Sequence, residues 1–230
     1  MASKEQGHLH PITQVIFDVY RIFHEHGFGV ARGPELETPY YNFDALNIPK
    51  DHPARDLQDT FWLGPEKLLR THTSSVQMHF MEKHKPPFRI IAPGKVFRQE
   101  ASDRTHEAQF HQVEGLVVSK DASLPQLIGT LEYFMRVFFD TDITLRLRPS
   151  YFSFVEPGVE IDVSRDGGPW IEVLGAGMVH PQVLKNAGID PGTWRGFAFG
   201  VGIDRLTMLK YGVDDIRAFY NGDLRLVTQF

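Results

Sequence analysis

The 230 residues are 42% hydrophobic and carry 24 Lys and Arg against 29 Asp and Glu, a formal charge of −5; this allows one large core and excludes a surface basic enough throughout to coat nucleic acid. Cysteine is absent, which rules out disulfide frameworks and thiolate metal sites and makes a reducing compartment, the cytoplasm, the expected location. The opening MASKEQGHLH has no apolar run, and no later stretch approaches bilayer-spanning length, so a soluble, unexported chain with no membrane partner is expected.

In chain order, Pro11 to His26 reads as an amphipathic helix, with Pro11 in its first turn, Ile12, Val15, Ile16, Val19 and Phe23 on one stripe and Gly27 past its end. A short strand is expected at 28–31, and 32–65, rich in Pro, Asn and Asp, reads as long ordered connections. Arg70-Thr71-His72-Thr73-Ser74 places a capping hydroxyl before a helix reaching Lys83. Strands are expected at 89–92 and 95–99, then a loop over 101–109, then a strand from Phe110 to Val118 that closes a hairpin. Ser123 caps a second amphipathic helix running through Phe139, a packing helix by its apolar stripe. Short strands over 143–148, 158–163, 170–174 and 197–201, a helix over 181–186 ended by Gly188 and a last helix from Asp204 complete the chain. Short turns between consecutive strands favour an antiparallel sheet, so the expected architecture is α+β, one domain over 1–230, with helices packed on that sheet.

The chemistry concentrates in VFRQEASDRTHEAQFHQVEGLVV, residues 96–118. A strand period of two puts Phe110, Gln112 and Glu114 on one face and His111, Val113 and Val117 on the other. An aromatic beside an amide and a carboxylate suits a nucleobase next to an amine, and Arg98 on the preceding strand suits a phosphate; the same pattern also describes a hairpin with one wet face. FAFGVGIDR, residues 197–205, runs from a strand through Gly-x-Gly into a helix opening with Asp204 and Arg205. The third glycine of a dinucleotide fingerprint is missing, which disfavours NAD, while Arg205 can stack on a base or pair with phosphate. The histidines of HEAQFH, 106–111, are five apart and lack the i, i+4 relation of a helical zinc site.

FRQE, the strand FHQVEG and the distant GxGxDR are similar to motifs 2 and 3 of class II aminoacyl-tRNA synthetases. HPARDLQDTFWL at 52–63, LLRTHTSSVQ at 68–77, THEAQFHQVEGLVV at 105–118, RPSYFSFVEP at 148–157, GAGMVHPQVL at 175–184 and GFAFGVGIDRL at 196–206 resemble, in order and over nearly the whole chain, the catalytic domain of the bacterial phenylalanyl-tRNA synthetase alpha-subunit family. The resemblance implies a class II antiparallel sheet flanked by helices, and formation of an aminoacyl-adenylate from L-phenylalanine and ATP with Mg2+, followed by transfer to tRNA(Phe). It further implies that Arg98 and Arg205 are catalytic and hold ATP together with Glu100, His106 and Phe110. His72, Ser74, Gln77, Gln112 and Glu114 would bind the amino-acid end, Phe152 and Phe154 would meet the phenyl ring above Ala198, and Glu156 would be a magnesium carboxylate. By strand alternation Phe152, Phe154 and Glu156 are expected to point the same way.

Departures from the family are Ser153 where proline is usual, His79 where arginine is common, Asp204 where glutamate is common and Ala176 where cysteine is frequent. The chain is expected to start almost at the motif 1 helix, without the family's N-terminal coiled coil, and to pair through that helix as a homodimer or with a beta subunit in an α2β2 assembly. An adenylate-forming paralogue with another acceptor and a non-catalytic assembly module are the alternatives; the co-occurrence of Arg98, Glu156 and Arg205 disfavours the latter.

Overall fold

The computed structural model describes residues 7–55 and 60–230; residues 56–59 of the 52–63 stretch, and the first six positions of the chain, lie outside the described residues. The first helix, α1 (Pro11–Glu25), starts where Ile12 N donates to His10 Nδ1 at 3.2 Å and stops before Gly27 at φ +79°, a left-handed position that favours glycine. Six more helices follow: α2 (Pro39–Asn42), α3 (Ser74–Lys83), α4 (Leu124–Phe139), α5 (Pro181–Asn186), α6 (Ile203–Tyr211) and α7 (Leu224–Val227).

The strands are β1 (Gly29–Val30), β2 (Leu36–Glu37), β3 (Trp62–Gly64), β4 (Lys67–Leu69), β5 (Phe88–Phe97), β6 (Gln109–Ser119), β7 (Ile143–Pro149), β8 (Val155–Arg165), β9 (Ile171–Val179) and β10 (Arg195–Gly202). Seven form one sheet in the order β1-β5-β6-β10-β9-β8-β7, and β2-β4-β3 form a small second one. The α+β architecture stands, with one correction: β1 runs parallel to β5. The long connection between them lets the chain arrive in the same sense. The two expected strands over 89–92 and 95–99 are a single strand, β5, through Pro93 and Gly94. β1 reaches only Ile90 and Ile91, so at Pro93 no strand lies on that side of β5 and no N–H is needed there.

Both sheet faces are covered. Behind it, α1, α4 and α6 pack in a core that includes Val15, Phe23, Leu131, Phe134, Val113, Phe199 and Leu206; in front, α3, α5 and the small sheet enclose a second core around Phe43, Leu68, Met78, Leu116 and Leu184. Val113 and Val117 of β6 fall in the first core and Leu116 and Val118 in the second, so the strand alternation read from the sequence is the division between the packing helices and the front of the sheet.

The back core is closed by three rings. Phe23 of α1 stacks on Phe134 of α4 at 4.7 Å and on Phe199 of β10 at 5.4 Å. Phe199 lies opposite Gly115, where an added Cβ would come within 2.1 Å of its Cζ. Gly115→Ala is therefore expected to destabilise the chain by about 1–3 kcal/mol through overpacking. A thermal melt checks this: the variant melts several degrees lower, and Phe199→Leu in the same chain recovers part of the loss.

Candidate active site

A cavity of about 850 Å³ opens on the front of the sheet. At its centre Glu114, 6% exposed, rises from β6 and meets the start of α3: its Oε1 accepts from Thr73 N at 3.1 Å, and its Oε2 from Ser74 Oγ at 2.5 Å and Gln77 Nε2 at 3.2 Å. Thr73 makes no side-chain cap for α3; the cap is supplied from the neighbouring strand, where a carboxylate also faces the positive end of the helix dipole. Burial outweighs these donors and pushes the Glu114 carboxyl up to about 7.

The loop before α3 is held from below. Buried Asn42 donates to Thr71 Oγ1 at 3.0 Å and accepts from Thr71 N at 3.1 Å, and Thr71 O accepts from Arg98 Nε at 3.2 Å. Arg98 is thereby aimed, with its terminal nitrogens left for the cavity. Arg70, 3% exposed, donates to Lys95 O at 2.8 Å and to Gly33 O and Pro34 O at 3.1 Å each, stitching three segments together. Burial works against its charge, while the Glu35, Glu37 and Glu114 carboxylates favour it.

His72 and Gln112 line the cavity; Gln112 Oε1 is buried with no hydrogen-bond partner, and the buried His72 ring nitrogens have no more than a weak contact with the Asn42 backbone. Unpaired buried polar atoms cost free energy unless something meets them, and such atoms in one cavity mark a place for a polar ligand. Burial, helped by the Arg98 charge, lowers His72 to about 3, so it is a neutral imidazole there. Ser74, Gln77 and Glu114 share the same end.

Beside His72, whose ring centroid lies 6.5 Å from that of Phe154, the wall is apolar. Phe152 and Phe154 both line it, their rings stacked at 5.8 Å, and Ala198 lies beneath on β10. Gly175 of β9 gives Phe152 its place, since a Cβ there would lie 2.9 Å from the ring. The expected common strand for Phe152, Phe154 and Glu156 is corrected: Phe152 bridges Val155 across a turn, and β8 begins only at Val155. A register shift between Val155 and Gly158 follows, and such a bulge re-aims its side chains. Glu156 consequently does not line the cavity; its side chain is 76% exposed and its Oε2 lies 3.4 Å from His180 Nε2. Its carboxylate stands in solvent beside that histidine, outside the cavity wall; a nucleotide-bound magnesium needs only one or two protein carboxylates, the phosphates and water supplying the rest. Besides Glu114, the carboxylates that line the cavity are Glu160 and Glu172, both bound to Arg148, at 3.0 and 2.6 Å. They escaped the sequence reading although Glu160 and Asp162 alternate with buried Val159, Ile161 and Val163, the signal that revealed β6.

On the third side stand Arg98, His106 and Arg205. The Phe110 ring is half-buried at the start of β6 with the Arg98 guanidinium 5.1 Å from its centroid; it backs the arginine and is not itself part of the cavity lining. Glu100 is exposed beyond the end of β5 and also stands outside the lining. His106 is fixed by Asp103, whose Oδ1 accepts from His106 N at 2.8 Å and lies 3.0 Å from His106 Nδ1. Asp103 is held well below the usual carboxylate range, first by His106 and then by the Thr105 backbone N–H. Arg205 projects from the first turn of α6. The arrangement thus offers a buried carboxylate with neutral donors and acceptors, an aromatic wall, and two arginines with a histidine.

A family model for the tRNA synthetases class II core domain (F) matches residues 1–230. The chain is 57% identical over 226 residues to the phenylalanine–tRNA ligase alpha subunits of Aeromonas hydrophila and Pectobacterium atrosepticum, spanning 98% of its own length and 69% of theirs; that of Haemophilus influenzae is 56% identical over the same span. Among solved structures, pyrrolysyl-tRNA synthetase from Desulfitobacterium hafniense superposes with a TM-score of 0.73 at 17% identity, covering 92% of this chain and 74% of that one, a likeness of fold.

Replacing Arg70 by Met keeps the length of the side chain and leaves three partly buried carbonyls without that donor. The expected loss is about 3–5 kcal/mol, read as a lowered denaturant midpoint; Gln77→Met, which removes one of three donors to Glu114, should cost no more than about 1–3 kcal/mol on the same scale.

Proposed function

Because the chain belongs to the phenylalanine–tRNA ligase alpha-subunit family, built on the class II synthetase core, we propose that it activates L-phenylalanine with ATP and passes the aminoacyl group to tRNA(Phe). The observation that carries this reading is Glu114, a buried carboxylate beside Gln112 and His72 in a cavity that is also lined by Phe152, Phe154 and Ala198. An ammonium group at Glu114 and Gln112 and a phenyl ring at the aromatic pair leave the amino-acid carboxylate facing Arg98 and Arg205. Edge or offset contacts with the two rings add roughly 0.5–1.5 kcal/mol to apolar burial.

In the first step a carboxylate oxygen attacks the α-phosphorus, the new C–O–P link forms, and pyrophosphate leaves with the electrons of the broken P–O bond. The carboxylate is already ionised at neutral pH, so no protein base is needed; the chain contributes position and positive charge. Arg98, anchored at Thr71 O and backed by Phe110, faces the α-phosphate, and Arg205 lies along the nucleotide from the opposite side. His106, fixed by Asp103, faces the triphosphate, and Glu100, exposed past the end of β5, belongs to the same side of the proposed ATP site. In the second step a terminal ribose hydroxyl of tRNA takes the aminoacyl group and AMP leaves. ATP arrives with a divalent cation, magnesium in this reading, for which Glu156 is the proposed protein carboxylate; no step here runs through the metal.

The family's alpha-subunit name supports a beta subunit as partner. A second copy of this chain meeting it through α1 is the alternative assembly, supported by Phe17, 54% exposed on that helix. The cytoplasm is the proposed location; no helix among the described residues is long and apolar enough to cross a membrane.

Phenylalanine-dependent ATP–pyrophosphate exchange by the chain with a beta subunit tests the reading. Exchange is expected to be strongest with phenylalanine and about a hundredfold weaker with tyrosine, since an apolar slot rejects an added hydroxyl only modestly; preference for another acid overturns it. Because burial raises Glu114 to about 7, the protonated form must lose its proton to receive an ammonium. The KM for phenylalanine is therefore expected to fall about tenfold per pH unit as pH rises toward 7 and to level off above it. Glu114→Gln should abolish that slope and raise KM by at least about thirtyfold.

A further inference from the structure

After α6 the chain turns back across the nucleotide side as a 3-10 segment, Ile216–Phe219, that ends in Tyr220. Four bonds hold this segment down, and none of them belongs to the site residues described above. Ile216 N donates to Arg104 O at 2.9 Å, in the loop that carries His106. The His10 ring lies 3.0 Å from Phe219 O. Tyr220 donates its hydroxyl to Asp204 Oδ1, and that hydroxyl stands 3.2 Å from His111 Nδ1. The other oxygen of Asp204 accepts from His111 N at 2.7 Å.

Asp204 is 1% exposed and immediately precedes Arg205; His111 immediately follows Phe110. One buried carboxylate with both oxygens engaged therefore ties Arg205, which lines the cavity, to the start of β6, where Phe110 backs Arg98, and Tyr220 supplies one of its two donors. Tyr220 is 36% exposed, but partial burial and the Asp204 charge beside its hydroxyl both raise the phenol above its ordinary value, so the hydroxyl remains a donor. The same short segment reaches the His106 loop through Ile216, so three groups around the proposed ATP site, Arg205, Phe110 with its Arg98, and His106, share one support.

We propose that Tyr220 is a positioning residue for the nucleotide: by closing on Asp204 it sets the direction of Arg205 and holds the 215–220 segment against the loop that carries His106. The inference rests on the ATP site proposed above. It assigns Tyr220 no contact with substrate. A hydrogen bond between a phenol and a carboxylate is charge-assisted and directional, whereas a ring packed for bulk alone would serve equally well without its hydroxyl.

Tyr220→Phe, which keeps the ring, tests this in the complex with a beta subunit. In ATP–pyrophosphate exchange the KM for ATP is expected to rise about tenfold, the scale of one lost hydrogen bond to a charged acceptor, while the KM for phenylalanine stays within about twofold. In thermal melts the variant should lose most of the stabilisation that ATP gives the parent. An unchanged KM for ATP, or equal rises in both KM values, overturns the positioning role. Absence of phenylalanine-dependent exchange in the parent overturns the functional reading itself, and the role of Tyr220 with it.

Discussion

The site depends on one carboxylate being shared by two elements. Glu114 leaves β6 and finishes the N-terminus of α3, accepting from Thr73 N, Ser74 Oγ and Gln77 Nε2. A helix that lacks its own side-chain cap is thereby registered against a strand, and the loop carrying Thr71 and His72 falls into place between them. Asn42 and Arg70 then hold that loop from outside, and Thr71 in turn holds Arg98. Removing water from Glu114 carries a real cost, visible in its raised carboxyl, and the structure retains that cost at the point where a cation would relieve it.

A second carboxylate plays the corresponding part for the nucleotide side. Asp204 is as deeply buried as Glu114 and is likewise bound by backbone and side chain from different elements. The two differ in what remains open. Around Glu114, buried polar atoms of Gln112 and His72 are left for the cavity, while Asp204 has both oxygens engaged by the chain and acts through the residues beside it.

The sequence made the strongly periodic parts legible. The stripes of α1 and α4 and the alternation of Phe110, Gln112 and Glu114 against Val113 and Val117 appear as read, because each is a repeat imposed by one regular element with one buried side. Where a turn intervened the same reasoning failed. Phe152, Ser153 and Phe154 look like a strand, yet the bridge from Phe152 to Val155 folds them back, so both rings enter the cavity by stacking and Glu156 is carried to the outside. Phe110 and Glu100 are expected as ATP contacts; in the structure Phe110 stands against Arg98 and Glu100 lies exposed past β5, positions that depend on where a strand ends, which residue type does not record. Glu160 and Glu172 went unread although their strands alternate, and Tyr220 could not have been read at all, since its partner is 16 residues away across a turn of 3-10 helix.

The ends of the main sheet carry a consequence of their own. At one end β1 is two residues long, and at the other β7 presents Arg146 and Arg148, tied to Asp162 and its neighbours and with Arg146 lying 4.5 Å from the Trp170 ring centroid. A stub and a charged border are both poor templates for pairing with another backbone. The sheet cannot readily be lengthened, so a crowded solution of this protein is guarded against edge-to-edge stacking, and a companion chain has helices and loops to grip instead of a free strand.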